Sequence, residues 1–286
     1  MKKILKLTLA AGLIIGILTG CGAKGGDTIT VLTREEGSGT RGAFIELLGI
    51  EEKDADGKKT DRTIAGAETT NSTSVMITTV EGNKNAIGYI SLGSLDKNKV
   101  KALKIDGAAA TADNVKSGEY KVSRPFNLAA KGDVSDIADD FIKFILSENG
   151  QTVIEERGYI SQGNSGKYTA SNKSGKITVG GSSSIAPVME KLKEAYIALN
   201  PDVQIEIQQN DSTSGMTGTI DGIYDIGMAS REVKESEKES GLVPTVIALD
   251  GIAVIVNKNN ETEEITADEI MKIYTGEITS WSEIVK

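Results

Sequence analysis

Thr33 to Gly42 (TREEGSGTRG) gathers chemistry-bearing residues into ten positions: Arg34, the hydroxyls of Ser38 and Thr40, and the flexible backbone of Gly37 and Gly39. A β-branched run, Thr28 to Leu32, precedes the stretch. Apolar residues at helical spacing, Ala43 to Leu48, follow it, and Gly49 stops them. The stretch is therefore a turn from strand to helix. Such a turn aims free backbone N–H groups, two hydroxyls and one guanidinium at a single small volume. The helix dipole adds partial positive charge there, which suits an oxyanion. An ordinary glycine-rich turn before a capped helix has the same local look, so this stretch alone leaves both readings open.

The pattern occurs twice more. Lys176 to Val179 reads as a strand, Gly181-Ser182-Ser183-Ser184 as a turn, and Ile185, Val188, Met189, Leu192, Tyr196 and Leu199 as the buried face of a helix that ends at Asn200-Pro201. Val203 to Ile207 alternates as a strand and enters a second helix through Asp211-Ser212-Thr213-Ser214-Gly215. Three such turns can converge on one anion from different elements. None has the spacing and terminal lysine of a nucleotide P-loop, so a nucleoside triphosphate is disfavoured.

The elements that would carry these turns alternate strand and helix along the whole chain, which predicts α/β architecture with largely parallel sheets. Ala86 to Ser91 and Val122 to Ala130 read as strands, and Asp136 to Glu148 as an amphipathic helix. Thr245 to Asn257 is a long apolar, β-branched run. Thr69 to Ser74 reads as a polar turn capping a helix near Val75, and Glu51 to Arg62 as a solvated hairpin or loop. Thr266 with Glu269 forms a capping box. Only Gln162 to Lys176 has interior linker composition.

Composition narrows the chemistry. The 286 residues are enough for two domains. The chain contains no histidine, which excludes histidine triads, histidine-ligated metal and a histidine base. Its one cysteine, Cys21, excludes an internal disulfide or a cysteine metal site. The lysines at 2, 3 and 6 followed by apolar Leu7 to Leu18 form a secretory signal peptide, residues 1–20, too short for a stable span. Leu18-Thr19-Gly20-Cys21 resembles the bacterial lipobox. That implies cleavage before Cys21 and lipidation of its thiol, palmitate among the expected chains, with residues 21–27 as lipidated cysteine and tether. The whole chain carries a net charge of −9, and removal of the three leader lysines takes it to −12. That charge argues against a nucleic-acid partner, which would need a basic face, and any anion must be captured by local geometry against the global field.

The motifs REEGSGTRGAF (34–44), NAIGYISLG (85–93), ITVGGSSSIAPVMEKL (177–192), DIGMASRE (225–232), TVIALDGIAVIVN (245–257) and IYTGEITSW (273–281) resemble those of the phosphate-binding lipoproteins of bacterial phosphate ABC transporters. The resemblance covers about 28–161 and 176–286, but in inverted order. Lys176 onward resembles the family's N-terminal half, and Asp27 to Ser161 its C-terminal half, as in a circular permutant.

The resemblance implies a type II periplasmic-binding-protein-like fold, with two α/β lobes around a ligand cleft. Residues 28–96 plus 254–286 would form a split lobe and 97–253 a continuous one, with the linker 162–176 joining the family's old termini. Carried over, the phosphate-binding residues are Arg34, Ser38, Gly39, Thr40, Ser183, Ser184, Ser212 and Ser230, with Thr213 in reserve for Ser212. Some members carry a carboxylate where this chain has Ser230, which leaves the acidic contact here resting on Glu36 alone; Glu36 would accept the proton that phosphate keeps and sulfate lacks. The implied protein is a monomer without cofactor or metal, lipid-anchored at the extracytoplasmic face of the cell membrane. It hands inorganic phosphate to the permease subunits of an ABC transporter and has no catalytic residues. The alternatives are a receptor for another oxyanion such as sulfate or molybdate, a phosphate-sensing module on the same scaffold, and an enzyme using Ser38 or Ser183, for which no base is evident.

Overall fold

The computed structural model describes residues 26–132 and 134–284; the expected signal peptide, Cys21 and the tether before Gly26 lie outside them. The β-branched run becomes β1 (Thr30–Arg34) and feeds α1 (Gly39–Leu47). The charged stretch is a hairpin of β2 (Glu51–Lys53) and β3 (Lys59–Asp61). There follow β4 (Glu68–Thr70), α2 (Thr73–Gly82), β5 (Ala86–Ser91), β6 (Val100–Ala102), β7 (Lys104–Ile105) and α3 (Ala112–Ser117). Strand β8 (Ser123–Lys131) leads into α4 (Asp136–Leu146), α5 (Glu148–Glu156), β9 (Ile160–Ser161), β10 (Gly175–Ser182) and α6 (Ala186–Leu199). Then come β11 (Val203–Asn210), α7 (Ser212–Ile220), β12 (Ile226–Ala229), α8 (Glu235–Glu239) and the 16-residue β13 (Leu242–Asn257), before β14 (Glu264–Ile265) and α9 (Ala267–Thr275).

Local chemistry starts the helices where the sequence predicts. Ser38, Ser72 and Asp211 cap α1, α2 and α7 by accepting from the backbone N–H groups of Arg41, Val75 and Ser214. Thr266 and Glu269 form the expected capping box of α9.

One ten-stranded sheet runs β11-β10-β12-β8-β13-β5-β1-β4, with β6 and β9 also paired to β13. It is mixed rather than largely parallel. Pairs β10/β11, β10/β12, β1/β5 and β1/β4 are parallel, whereas β8 and β13 pair antiparallel with each other and with β12 and β5. The reason is that β8 carries the chain from one lobe to the other and β13 carries it back. Residues 242–251 of β13 lie beside β8, and 252–256 lie beside β5.

Two cores flank this crossing. One gathers Val31, Phe44, Ile87, Tyr89, Tyr120, Val122, Val254, Ile273, Tyr274 and Trp281. The other gathers Phe126, Phe141, Phe144, Val179, Ile185, Leu192, Tyr196, Ile226 and Met228. Segment 97–122, expected in the continuous lobe, instead packs with the split one. Leu103, Ile105, Val115, Tyr120 and Val122 all join its core. The crossing is set by where β8 and β13 pass side by side, at Ser123 opposite Gly251 and Arg124 opposite Asp250.

The linker is fastened down. Asp140 Oδ2 on α4 accepts from Tyr168 Oη at 2.6 Å, Ser171 Oγ at 2.7 Å and Tyr196 Oη at 2.7 Å. The Tyr168 ring meets Phe144 edge-on at 5.2 Å. At the ends of the described chain, Ile29 N donates to Thr279 O and Trp281 N to Asp27 O, and Ser280 Oγ donates to Asp27 Oδ2 at 2.7 Å.

Candidate functional site: an interlobe hydroxyl cluster around Arg34

The turn after β1 places Arg34 in the interior, only 2% exposed. Its backbone N–H donates to Tyr89 Oη at 3.0 Å, and that phenol lies 2.9 Å from Thr33 Oγ1. Tyr89 stacks on Phe44 of α1 with ring centroids 3.9 Å apart, and Tyr274 Oη donates to Leu32 O at 3.0 Å. Aromatic side chains from β5, α1 and α9 thus hold the strand end that presents the guanidinium.

The guanidinium reaches across the cleft. Arg34 Nη2 donates to Ser183 Oγ at 3.0 Å, and Nε and Nη2 each donate to the Glu35 carboxylate at 2.7 Å. Thr40 Oγ1 lies 2.9 Å from Ser184 Oγ. Beside them Ser182 Oγ donates to Ser230 Oγ at 2.9 Å, and Ser230 N donates to Ser212 Oγ at 3.1 Å. Gly39 sits against this second group, and a Cβ there would stand 2.5 Å from Ser212 Oγ and 2.9 Å from Ser230 Oγ. Only a glycine lets the α1 N-terminus approach so closely. Arg34, Thr40, Ser182, Ser183, Ser184, Ser212 and Ser230 are all buried, so the two lobes meet at the cluster.

Of the expected site residues, Arg34, Thr40, Ser183, Ser184, Ser212 and Ser230 converge, and Gly39 borders the cluster. Ser38 is buried, and its hydroxyl is engaged as the α1 cap, accepting from Arg41 N at 3.3 Å. Thr213, held in reserve, serves the cleft differently: its N–H and Oγ1 both donate to Gly37 O at 3.2 Å across the lobes.

Glu36, the expected proton reader, sits at the corner of a turn. Glu35 N donates to Thr70 O, which extends the β1 ladder by one residue, and Ser38 N donates to Glu35 O to close a tight turn. Glu36 and Gly37 are the corners of that turn. Glu36 therefore points out and is exposed, lining an interlobe cleft of about 920 Å³. Glu35, which sequence reasoning passed over, is the carboxylate that grips Arg34. Also missed was Thr73 at the start of α2. Its Oγ1 lies 3.4 Å from Ser183 Oγ and 3.3 Å from Ser184 Oγ. The signal was present, because Thr69 to Ser74 is a strand-to-helix turn rich in hydroxyls, though it lacks the glycines that marked the others.

Behind the cluster, where the lobes join, Arg124 Nη2 donates to Asp250 Oδ2 at 3.1 Å with both side chains 1% exposed, and Ser91 Oγ donates to Asp250 Oδ1 at 2.9 Å. Burial pushes the Asp250 carboxyl up to about 6 despite the attraction of Arg124. Among the described residues no group of His, Cys, Asp or Glu could hold a metal ion. The arrangement offers a fixed guanidinium, movable hydroxyl donors and helix N-termini, which is equipment for holding a small tetrahedral anion.

Two lobes joined by crossing strands, with a polar seat between them, define a two-lobed binding protein. A family profile described as a PBP superfamily domain matches residues 9–149 and 166–285. The phosphate-binding protein PstS 2 of Streptococcus agalactiae is 53% identical over 292 residues, covering 99% of both chains. A crystal structure of a phosphate-binding protein of a phosphate ABC transporter from Streptococcus pneumoniae is 47% identical, with a TM-score of 0.71 over 90% of this chain and all of that one. The phosphate-binding protein PstS of Bacillus subtilis matches 133 residues at 32% identity, 43% of this chain and 44% of that one. The chain belongs to the PBP superfamily and, within it, to the family of the phosphate-binding proteins named PstS 2.

Proposed function

We propose that the protein captures inorganic phosphate in the interlobe seat and delivers it to the permease subunits of an ABC transporter, working as a binding protein and not as an enzyme. The observation that carries this reading is the buried guanidinium of Arg34 ringed by hydroxyls from both lobes, in a chain whose full-length relative is a phosphate-binding protein. The seat residues are Arg34, Ser38, Gly39, Thr40, Ser183, Ser184, Ser212 and Ser230. Arg34 donates charge-assisted hydrogen bonds, and each hydroxyl can donate to an ionised oxygen or accept from a protonated one. Ligand bridging both lobes favours closure, and closure is the state a transporter can recognise. Lipidation at Cys21 would hold the protein as a monomer at the extracytoplasmic face of the membrane.

The chain order is read as a circular permutation of the family's usual order. Support comes from the match to the Bacillus subtilis relative, which spans less than half of each chain, while the Streptococcus agalactiae relative matches end to end. The adjacency of Asp27 to Ser280 and Trp281 also supports it, since rewiring needs neighbouring surface ends.

One observation favours a broader oxyanion receptor: Glu36 is exposed, and Ser230 stands where some members carry a carboxylate, so little beyond hydroxyls reads the proton that distinguishes phosphate from sulfate. Titration calorimetry with phosphate, sulfate and molybdate decides between them. Saturable one-to-one binding with phosphate tightest supports the phosphate reading, and tighter binding of sulfate overturns it. Turnover of phosphomonoesters would overturn the binding-only assignment.

A further inference from the structure

We propose that the N-terminus of α2, through the Thr73 hydroxyl, is a fourth arm of the anion seat, beside α1, α6 and α7, and that Thr73 contacts the bound phosphate directly. Thr73 is buried in the split lobe. Its Oγ1 stands 3.4 and 3.3 Å from the hydroxyls of Ser183 and Ser184, which belong to the opposite lobe and which also meet Arg34 and Thr40. The same two serine hydroxyls therefore face three residues of the split lobe, two of them already assigned to the ligand. A tetrahedral anion that draws the Ser183 and Ser184 hydroxyls to itself lies within reach of Thr73.

A second observation comes from charge placement. Helices α3, α4, α5, α8 and α9 carry Asp113, Asp136, Glu148, Glu235 and Asp268, respectively, in their first turns. An acid there is the ordinary complement to the helix dipole. Helices α1, α2, α6 and α7 have none. Three of these four begin at turns that bring residues to the seat, and α2 shares their exception. A carboxylate in that first turn would repel the ligand from the N–H groups it needs. With an excess of acidic residues over the whole chain and Arg34 partly engaged by Glu35, each additional helix N-terminus strengthens the local field that holds the anion.

This inference rests on the phosphate reading, and its test separates the two. Phosphate binding is measured by titration calorimetry on the purified full chain, as wild type, Thr73→Val and Thr73→Ser. Valine keeps the branched shape and removes the hydroxyl; serine keeps the hydroxyl. Thr73→Val should weaken phosphate about tenfold or more, whereas Thr73→Ser should stay within about threefold of wild type. Without phosphate the valine variant should melt as wild type does, and with phosphate its melting temperature should rise less. If wild type binds phosphate and Thr73→Val binds it equally well, the fourth arm is overturned while the phosphate reading stands. Equal losses in both variants mark a packing role and overturn it too. A wild type that binds no phosphate overturns both.

Discussion

Arg34 shows how much one side chain does here. Its guanidinium donates to Ser183 Oγ in the cluster, and strand β1, Tyr89 and Glu35 hold it from three sides. Arg34→Ala should cost phosphate binding about 2–5 kcal/mol, read as a loss of about thirtyfold or more in affinity by calorimetry. The two neighbouring glutamates should separate cleanly. Glu36→Gln, at an exposed turn corner, should leave phosphate affinity and phosphate–sulfate preference within about twofold. Glu35→Gln should change both, because it removes the carboxylate that orients the guanidinium. Tight sulfate binding that appears only in Glu36→Gln would restore Glu36 as the proton reader and contradict its exposed placement.

At the scale of elements, the segment joining β9 to β10 has linker composition yet is docked. Burial pushes the Asp140 carboxyl up, but the hydroxyls of Tyr168, Tyr196 and Ser171 outweigh this and hold it below the usual carboxylate range. A carboxylate held low contributes stability above its unfolded value, and that contribution is lost as pH falls through the folded value. Asp140→Asn should therefore lower stability by about 1–2 kcal/mol near neutral pH, seen in chemical denaturation, with the deficit shrinking under acid. Phosphate affinity should not move, because this strap lies on α4 and the C-terminal end of α6, whereas the seat is at the N-terminal end of α6. A drop in affinity would mean that the linker takes part in closure.

For the whole molecule, the consequential place is the crossing of β8 and β13. There Arg124 and Asp250 are buried where the chain changes lobe, with Ser91 on Asp250 and Tyr159 close by. Burial pushes the Asp250 carboxyl up to about 6 against 3.8 for an ordinary aspartate, so the folded state holds the proton more tightly. Its contribution is present below about pH 4 and fades as pH rises through about 6. The stability of wild type minus that of Asp250→Asn should accordingly fall between pH 4 and 7 in denaturation curves. A flat difference would mean that Arg124 compensates the carboxylate fully. Removing Arg124 alone should be the harsher change, because it leaves a buried carboxylate without its ion-pair partner.

What local chemistry dictates was readable in the chain. The β-branched runs, the helical spacing of apolar residues and the caps at Ser38, Ser72, Asp211 and Thr266 depend on residues a few positions apart. They mark β1, α1, α2, α6, α7 and α9 close to where they form. The three glycine- and hydroxyl-rich turns were legible for the same reason. Contacts between distant positions were not. Arg34 meets Ser183 across 149 positions, and Thr73 meets it across 110; no periodicity encodes such distances. The split between Glu35 and Glu36 followed from a turn closed by Ser38 N, the lobe boundary from where two strands run side by side, and the partner of Asp250 from the register that sets Arg124 opposite it. The sequence by itself determined which elements form and what chemistry their turns offer, because both are set by neighbours along the chain. Only the tertiary structure decided which of those groups share one volume, because burial and register are properties of surfaces that meet after the chain has folded.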